Sequence, residues 1–355
     1  LPTDSKTRAI LAQGFDRLRG PALQLLPRRL HPAMYSVFFH FLLASLLGCG
    51  TAEYNISMLM WNPHWECFIH NADGCKKQVE HLINTWLPGH RIDFATVVEL
   101  EDVEYRLPDG WASVKSTCGL DVVDLIYDAT RWQPAVPDSV EIGCMIPNDR
   151  PFIVQRFERI SGCEPQTLIV IGAHFPHPAW AHDLATYRRT ASLSRLREGL
   201  MSVVGNHRSD KVVLMADTNA WAWVPSREIA EQLRFPDGHL LCTRLHKTCC
   251  HDVDFPDWGT FDRIFANFGA DMHTRVFFDR LDLPSWAQQG AFHKPVLARL
   301  SSKGAGSSDG ADHKCDAEPP HAGPLHGVIS PFALICVVVV MLMLALVLCW
   351  PRLAQ

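Results

Sequence analysis

Short apolar runs, each closed by polar turn residues, fill the middle of this chain and restrict its fold more than any other feature. "ISMLMW" (56–61), "FATVV" (94–98), "DVVDLIY" (121–127), "TLIVIGA" (167–173) and "KVVLMA" (211–216) all have the length of a strand. Runs this uniformly apolar suit strands covered on both faces. Between them the period changes: Val79, Leu82, Ile83 and Trp86 fall at helical spacing, and so do Leu184, Tyr187, Ala191, Leu196, Leu200 and Val203 in a longer segment. No stretch repeats at a fixed period. An α/β domain over residues 53–300 is expected.

The ends of the chain carry other signals. Met34 is a plausible start, residues 1–33 being an upstream extension. "VFFHFLLASLLG" then follows Arg28, Arg29 and His31 and runs into the small residues of "GCGTA", which is the grammar of a signal peptide over 34–52. From Phe332 to Trp350, 19 residues pass without a charge, enough to cross a bilayer as a helix. Arg352 follows, so a single membrane span over 329–350 is expected, with a short cytoplasmic tail (351–355) and the domain extracellular or lumenal. A removable glycolipid-anchor signal fits the same residues, because "GAGSSDGAD" supplies small residues and a polar spacer. Residues 301–328 are rich in Gly, Ser, Asp, Ala and Pro and read as a flexible stalk.

Twelve cysteines fit an oxidising compartment. Cys49 lies in the signal region, Cys336 and Cys349 in the span and Cys315 in the stalk. Eight remain in the domain, enough for four disulfides of undetermined connectivity. "HKTCCH" (246–251) holds either a disulfide corner or a zinc ion. Asn55-Ile56-Ser57 is a glycosylation sequon just after the cleavage region. With 33 basic and 38 acidic residues the formal net charge is −5, so no polyelectrolyte field or basic run points to a long nucleic-acid contact. No segment advertises a protein partner.

Polar residues able to bind a metal or a phosphate recur where the apolar runs stop, the place where open α/β sheets put their chemistry. Asn62 ends the first run, Glu99 the second, His174 the fourth, and Asp217 with Asn219 the fifth. Downstream, "GTFDRIFANF" places Asp262 before an apolar pair, and "GAFHKPVLARL" places His293 before a final strand.

In this order the set resembles the endonuclease/exonuclease/phosphatase superfamily over about residues 55–300. The resemblance implies a two-sheet α/β sandwich with outer helices, and a Mg²⁺- or Mn²⁺-dependent phosphoesterase acting on a nucleic acid or a phospholipid head group. Asn62 matches the family's first strand end and Glu99 of "TVVEL" its metal-binding Glu, and these two are the expected metal ligands. His174 of "GAHFPHP" matches a phosphate-contacting His. "ADTN" stands for the family's "GDFN", so that Asp217 would activate water and Asn219 hold a phosphate oxygen. Asp262 would orient the catalytic His293. The family's "SDH" reads Ala291-Phe292-His293 here, which removes a carboxylate that helps hold the metal; Asp257 is a neighbouring replacement. A catalytically silent binding module of the same fold is the competing expectation. Trp221, with Trp223, is a candidate aromatic wall, and Arg188 a candidate phosphate ligand.

Overall fold

The strand β1 (Asn55–Trp61) alternates Ile56, Met58 and Met60 on one face with Leu59 and Trp61 on the other, and all five side chains are buried. A strand apolar on both sides needs a layer above and below it. The computed structural model supplies them. It describes residues 55–302 apart from 70–73, 102–104, 136–138, 161–165, 178–192, 206–209, 222–223, 237–239, 247, 250–258 and 279–291, together with Cys315. The expected signal peptide, membrane span and tail, Arg188, Trp223, Asp257 and Ala291 lie outside the described residues. Among the described residues, no helix is long and apolar enough to cross a membrane.

After β1 come α1 (Trp65–Ile69), α2 (Cys75–Gly89), β2 (Phe94–Val97), β3 (Trp111–Cys118), β4 (Asp121–Asp128), β5 (Trp132–Pro134), β6 (Val140–Ile146), β7 (Asp149–Arg159) and β8 (Thr167–His174). The chain continues through α3 (Ser194–Val204), β9 (Val212–Asp217), α4 (Ser226–Leu233), β10 (Leu241–Cys242), β11 (Asp262–Ala266), β12 (Asp271–Val276) and β13 (Val296–Ser301). One sheet has the order β12-β13-β1-β2-β4-β3. The other has β10-β11-β9-β8-β7-β5, with β6 also paired to β7. Among the described residues, only the β1–β2 and β8–β9 ladders are parallel. Each parallel step carries a helix across the outside of its sheet, α2 in the first and α3 in the second.

Three apolar layers result. The sheets face each other through Met58, Met60, Phe94, Val123, Val170, Val213 and Met215. Val79, Ile83 and Trp86 of α2 cover the outer face of the first sheet, while Leu196 and Leu200 of α3 and Ile229 and Leu233 of α4 cover that of the second. Each fully buried aliphatic side chain of this kind stabilises the fold by about 1.5–3 kcal/mol. The sheets approach closely at Gly172, where a Cβ would stand 2.9 Å from Thr96 Oγ1.

Disulfides join Cys67 to Cys75, Cys118 to Cys144 and Cys242 to Cys315. The last of these ties Cys315, in the 301–328 segment, to β10. Cys249 is also in a disulfide, so the zinc alternative for "HKTCCH" loses this thiolate.

Candidate active site

The pleat of the inter-sheet seam leads straight into the site. Along β9 the inward side chains are Val213 and Met215, and the next in that parity is Asp217; along β1, Met58 and Met60 are followed by Asn62. His174 follows Leu168 and Val170 in the same way on β8. Asp262 and Asp121 precede the inward Ile264 and Val123 at the starts of β11 and β4. Asn62, His174, Asp217 and Asp262 are each at most 4% exposed. The apolar seam therefore ends in a buried polar rim at one end of the sandwich, beyond the carboxyl ends of both parallel pairs.

Glu99 reaches the rim differently. By alternation from Ala95 and Val97 it would face outward, but its backbone is left-handed (φ 57°), and the turn brings its carboxylate to His174 (Oε1 to Nε2, 3.3 Å) and to the Trp65 backbone N–H (Oε2, 3.1 Å). Such a φ is uncommon for a residue with a side chain and marks a constrained position.

The direct contacts join the two sheets. Asn62 Nδ2 donates to Asp217 Oδ2 at 2.8 Å, and Asn62 Oδ1 accepts from the His64 N–H. His293, in the loop before β13, donates from Nδ1 to Asp262 Oδ2 at 2.8 Å, and the same nitrogen lies 3.7 Å from Asp217 Oδ2. His174 Nδ1 donates to Asp121 Oδ2 at 2.7 Å, while its Nε2 stands 3.7 Å from Asp217 Oδ2. Arg150, at the start of β7, lays its guanidinium against the His174 ring with Nη1 beside both ring nitrogens. Asn219, left-handed at φ 46°, donates its backbone N–H to Asp217 Oδ1 and one amide hydrogen to the Phe175 carbonyl.

The charges follow from this geometry. Burial works against a cationic His293, but Asp262, then Asp217, outweigh it and raise its pKa to about 9. His174 is raised too, against burial, chiefly by Asp121. Burial would push Asp217 up, yet His293 and His174, with the Asn62 amide and the Asn219 N–H, draw its carboxyl below the ordinary value. For Asp262 burial prevails over the His293 charge and the carboxyl is raised.

Among the described residues, two sets of ligand atoms converge within 4.8 Å: those of Glu99, His174 and Asp217, and those of Asp217, Asp262 and His293. The second set is already an internally hydrogen-bonded acid–base pair beside a carboxylate. The first contains two hard oxygen donors, Glu99 and Asp217, and suits a divalent cation such as Mg²⁺ or Mn²⁺. Phe292 contributes nothing polar. It is buried, edge-on to Trp61 at 6.2 Å and 6.2 Å from Phe278, so the residue beside His293 belongs to the apolar layer under α2.

The structure thus gathers Asn62, Glu99, His174, Asp217, Asn219, Asp262 and His293 at one rim. Trp221 stands one ring further out, edge-on to Phe261 at 5.5 Å, and Phe261 lies 6.1 Å from His293. Asp121 and Arg150 were not anticipated. The signal for Asp121 was its place as first residue of the run "DVVDLIY"; Arg150, second residue of β7, carried none beyond its charge.

No protein-family model matches the chain, and no curated protein matches it in sequence. Among solved structures, an endonuclease/exonuclease/phosphatase family protein from Bacteroides thetaiotaomicron matches with a TM-score of 0.50 at 12% identity, over 71% of this chain and 99% of that one. TDP2 from Caenorhabditis elegans matches with a TM-score of 0.50 at 13% identity, over 74% of this chain and 80% of that one. At such identities the likeness is one of fold: two mixed sheets with helices outside, as in endonuclease/exonuclease/phosphatase proteins.

Proposed function

We propose that this chain is a metal-dependent phosphoesterase that hydrolyses a phosphodiester or phosphomonoester by attack of water, its substrate a nucleic acid or a phospholipid head group. The observation that carries the reading is the buried Asp262–His293 pair set beside Asp217, a hydrogen-bonded imidazole and a separate carboxylate facing one rim. Phosphoryl transfer needs a water aligned with phosphorus, a proton for the leaving oxygen and positive charge around the non-bridging oxygens.

The chain's residues supply each. Asp217, held by Asn62 and the Asn219 N–H, orients the water and takes its proton as the new P–O bond forms. His293 binds Asp262 through Nδ1, which leaves Nε2 to give a proton to the departing oxygen as the old P–O bond breaks. A pKa near 9 keeps that proton in place at neutral pH. His174 and Arg150 present N–H groups to the phosphoryl oxygens, joined by the Asn219 amide. Glu99 and Asp217 would hold the Mg²⁺ or Mn²⁺, which supplies further positive charge against a phosphoryl oxygen.

The second reading, a silent domain of the same fold used as a cell-surface binding module, is favoured by Phe292 alone, whose position in the apolar layer leaves the cation without that carboxylate. The proton-transfer pair is intact regardless. Attachment to a membrane by the apolar run 329–350, with the domain extracellular or lumenal, is part of the same proposal; the disulfides support the extracellular or lumenal side alone.

The test is hydrolysis of bis-p-nitrophenyl phosphate by the purified chain with Mg²⁺ or Mn²⁺ and with chelator, beside His293→Ala and Asp217→Ala. Metal-dependent turnover lost in both variants supports the phosphoesterase. A folded chain inactive on this compound and on a panel of nucleic-acid and phospholipid substrates favours the binding module.

A further inference from the structure

The Cys118–Cys144 disulfide stands at the point where the two sheets' outer strands meet. Cys118 ends β3, the last strand of the first sheet, and Cys144 lies in β6, which borders β7 of the second. Register shows what each cysteine neighbours. Cys118 is the cross-strand partner of Asp121, with only Gly119 and Leu120 in the turn between them. Cys144 is the partner of Pro151, the residue after Arg150, across a turn of Pro147 and Asn148. Cys118 thus stands directly opposite Asp121, and Cys144 one register position from Arg150, the two groups that touch the His174 ring from opposite sheets.

The turns themselves also meet. Gly119 has φ 65°, and a Cβ there would stand 2.4 Å from the Asn148 carbonyl oxygen, so only glycine allows the hairpins this close. Arg150 otherwise has an ion pair with its neighbour Asp149, whose side chain is 44% exposed. Asp121 bonds His174 through one oxygen, and the other is buried without a hydrogen-bond partner. Neither group is braced by a contact as strong as the covalent bond beside it.

We infer that the Cys118–Cys144 bond is a positioning crosslink: it sets the distance between Asp121 and Arg150, and thereby builds the phosphate-gripping side of the site around His174. The inference rests on the phosphoesterase reading for its ligand. A bond that merely fastened two edge strands would change stability and leave the coupling between crosslink and Arg150 at nothing.

The experiment uses the full chain with Mg²⁺ present and inorganic phosphate as the probe, its affinity read by calorimetry. Cys118→Ala/Cys144→Ala is expected to weaken phosphate binding about ten-fold, the scale of one charge-assisted hydrogen bond. Arg150→Ala is expected to cost a similar factor in the crosslinked chain and less than about two-fold in the uncrosslinked one, because interacting sites are not additive. A folded double variant with unchanged affinity and a full Arg150→Ala loss overturns the inference. If the double variant does not fold, stepwise reduction of the unaltered chain decides. Dithiothreitol closes to its cyclic disulfide as Cys118 and Cys144 each take up one hydrogen, and alkylation with peptide mapping gives the fraction opened. Affinity falling with that fraction supports the crosslink; affinity unchanged while this bond is open overturns it. A chain that binds phosphate but hydrolyses no substrate sinks the phosphoesterase and leaves the crosslink standing, and one that hydrolyses substrate but binds no phosphate overturns the crosslink's role alone.

Discussion

Asp262, at the start of β11, and His293, 31 residues on in the loop that leads into β13 of the other sheet, share a hydrogen bond of 2.8 Å that fixes which nitrogen of the imidazole faces the rim. If His293 is the acid, His293→Ala lowers kcat by about 10²–10⁴-fold, the usual worth of general acid catalysis. Steady-state kinetics against a leaving-group series checks it: the loss is largest for poor leaving groups and vanishes for those that need no proton.

The same pair sets a pH limit. A His293 pKa raised to about 9 places the alkaline fall in kcat/KM near pH 9. Asp262→Asn removes the charge that raises it most, so the fall moves to lower pH. A pH–rate profile in which the alkaline limb stays put in Asp262→Asn shows that another group is titrating.

Metal dependence is expected to run through Glu99 and Asp217. Glu99→Gln raises the Mn²⁺ concentration needed for half-maximal activity by about 10-fold or more, as losing one of two hard ligands should. Asp217→Ala lowers kcat at every metal concentration, because the water loses its acceptor as well. Titrating Mn²⁺ against initial rate separates the two behaviours.

Phe292 offers a prediction on stability. Phe292→Asp buries a carboxylate between Trp61 and Phe278, and the variant is expected to be less stable by about 3 kcal/mol or more. Phe292→Leu keeps an apolar filler and loses much less. Denaturant melts of the two, with Mg²⁺ present and absent, show whether the position belongs to the apolar layer; rescue of Phe292→Asp by Mg²⁺ would place it in the metal site instead.

Arg263 lies wholly inside, with its guanidinium donating to the carbonyls of Ala220, Trp221, Val224 and Thr260. It pins the segment after Asn219 to β11. Arg263→Met takes this donor from the Val224 and Thr260 carbonyls at about 1–3 kcal/mol for each that stays dry, while the Ala220 and Trp221 carbonyls keep the Thr260 hydroxyl and the Val224 N–H. Arg263→Lys is not expected to rescue it, since an ammonium lacks the planar fork. Thermal melting with proteolysis of the 220–226 segment tests both.

Much of this arrangement was legible because it follows from the pleat. The runs ending at Trp61, Ala173 and Ala216 named their strands by composition, and the polar residue just beyond each names a site position. Glu99 was legible only through a motif, since its left-handed backbone breaks the alternation that would have pointed it away. Asp121 and Arg150 escaped because strand β4 begins with its functional residue, and because β6 and β7 mix polar with apolar side chains and give no buried-strand pattern. Nor did local sequence show Phe292 turning inward, which depends on Trp61 and α2 arriving from far along the chain.

The polar rim has a mechanical consequence. Asn62 with Asp217, Glu99 and Asp121 with His174, and Asp262 with His293 all join one sheet, or the loops at its strand ends, to the other. A small slide of one sheet along its partner would leave every ladder intact, and the far-ultraviolet spectrum with it, while parting all these partners at once. Under the proposed function, activity is therefore a gauge of sandwich registry, and on heating or in denaturant it is expected to fail before any measure of secondary structure notices.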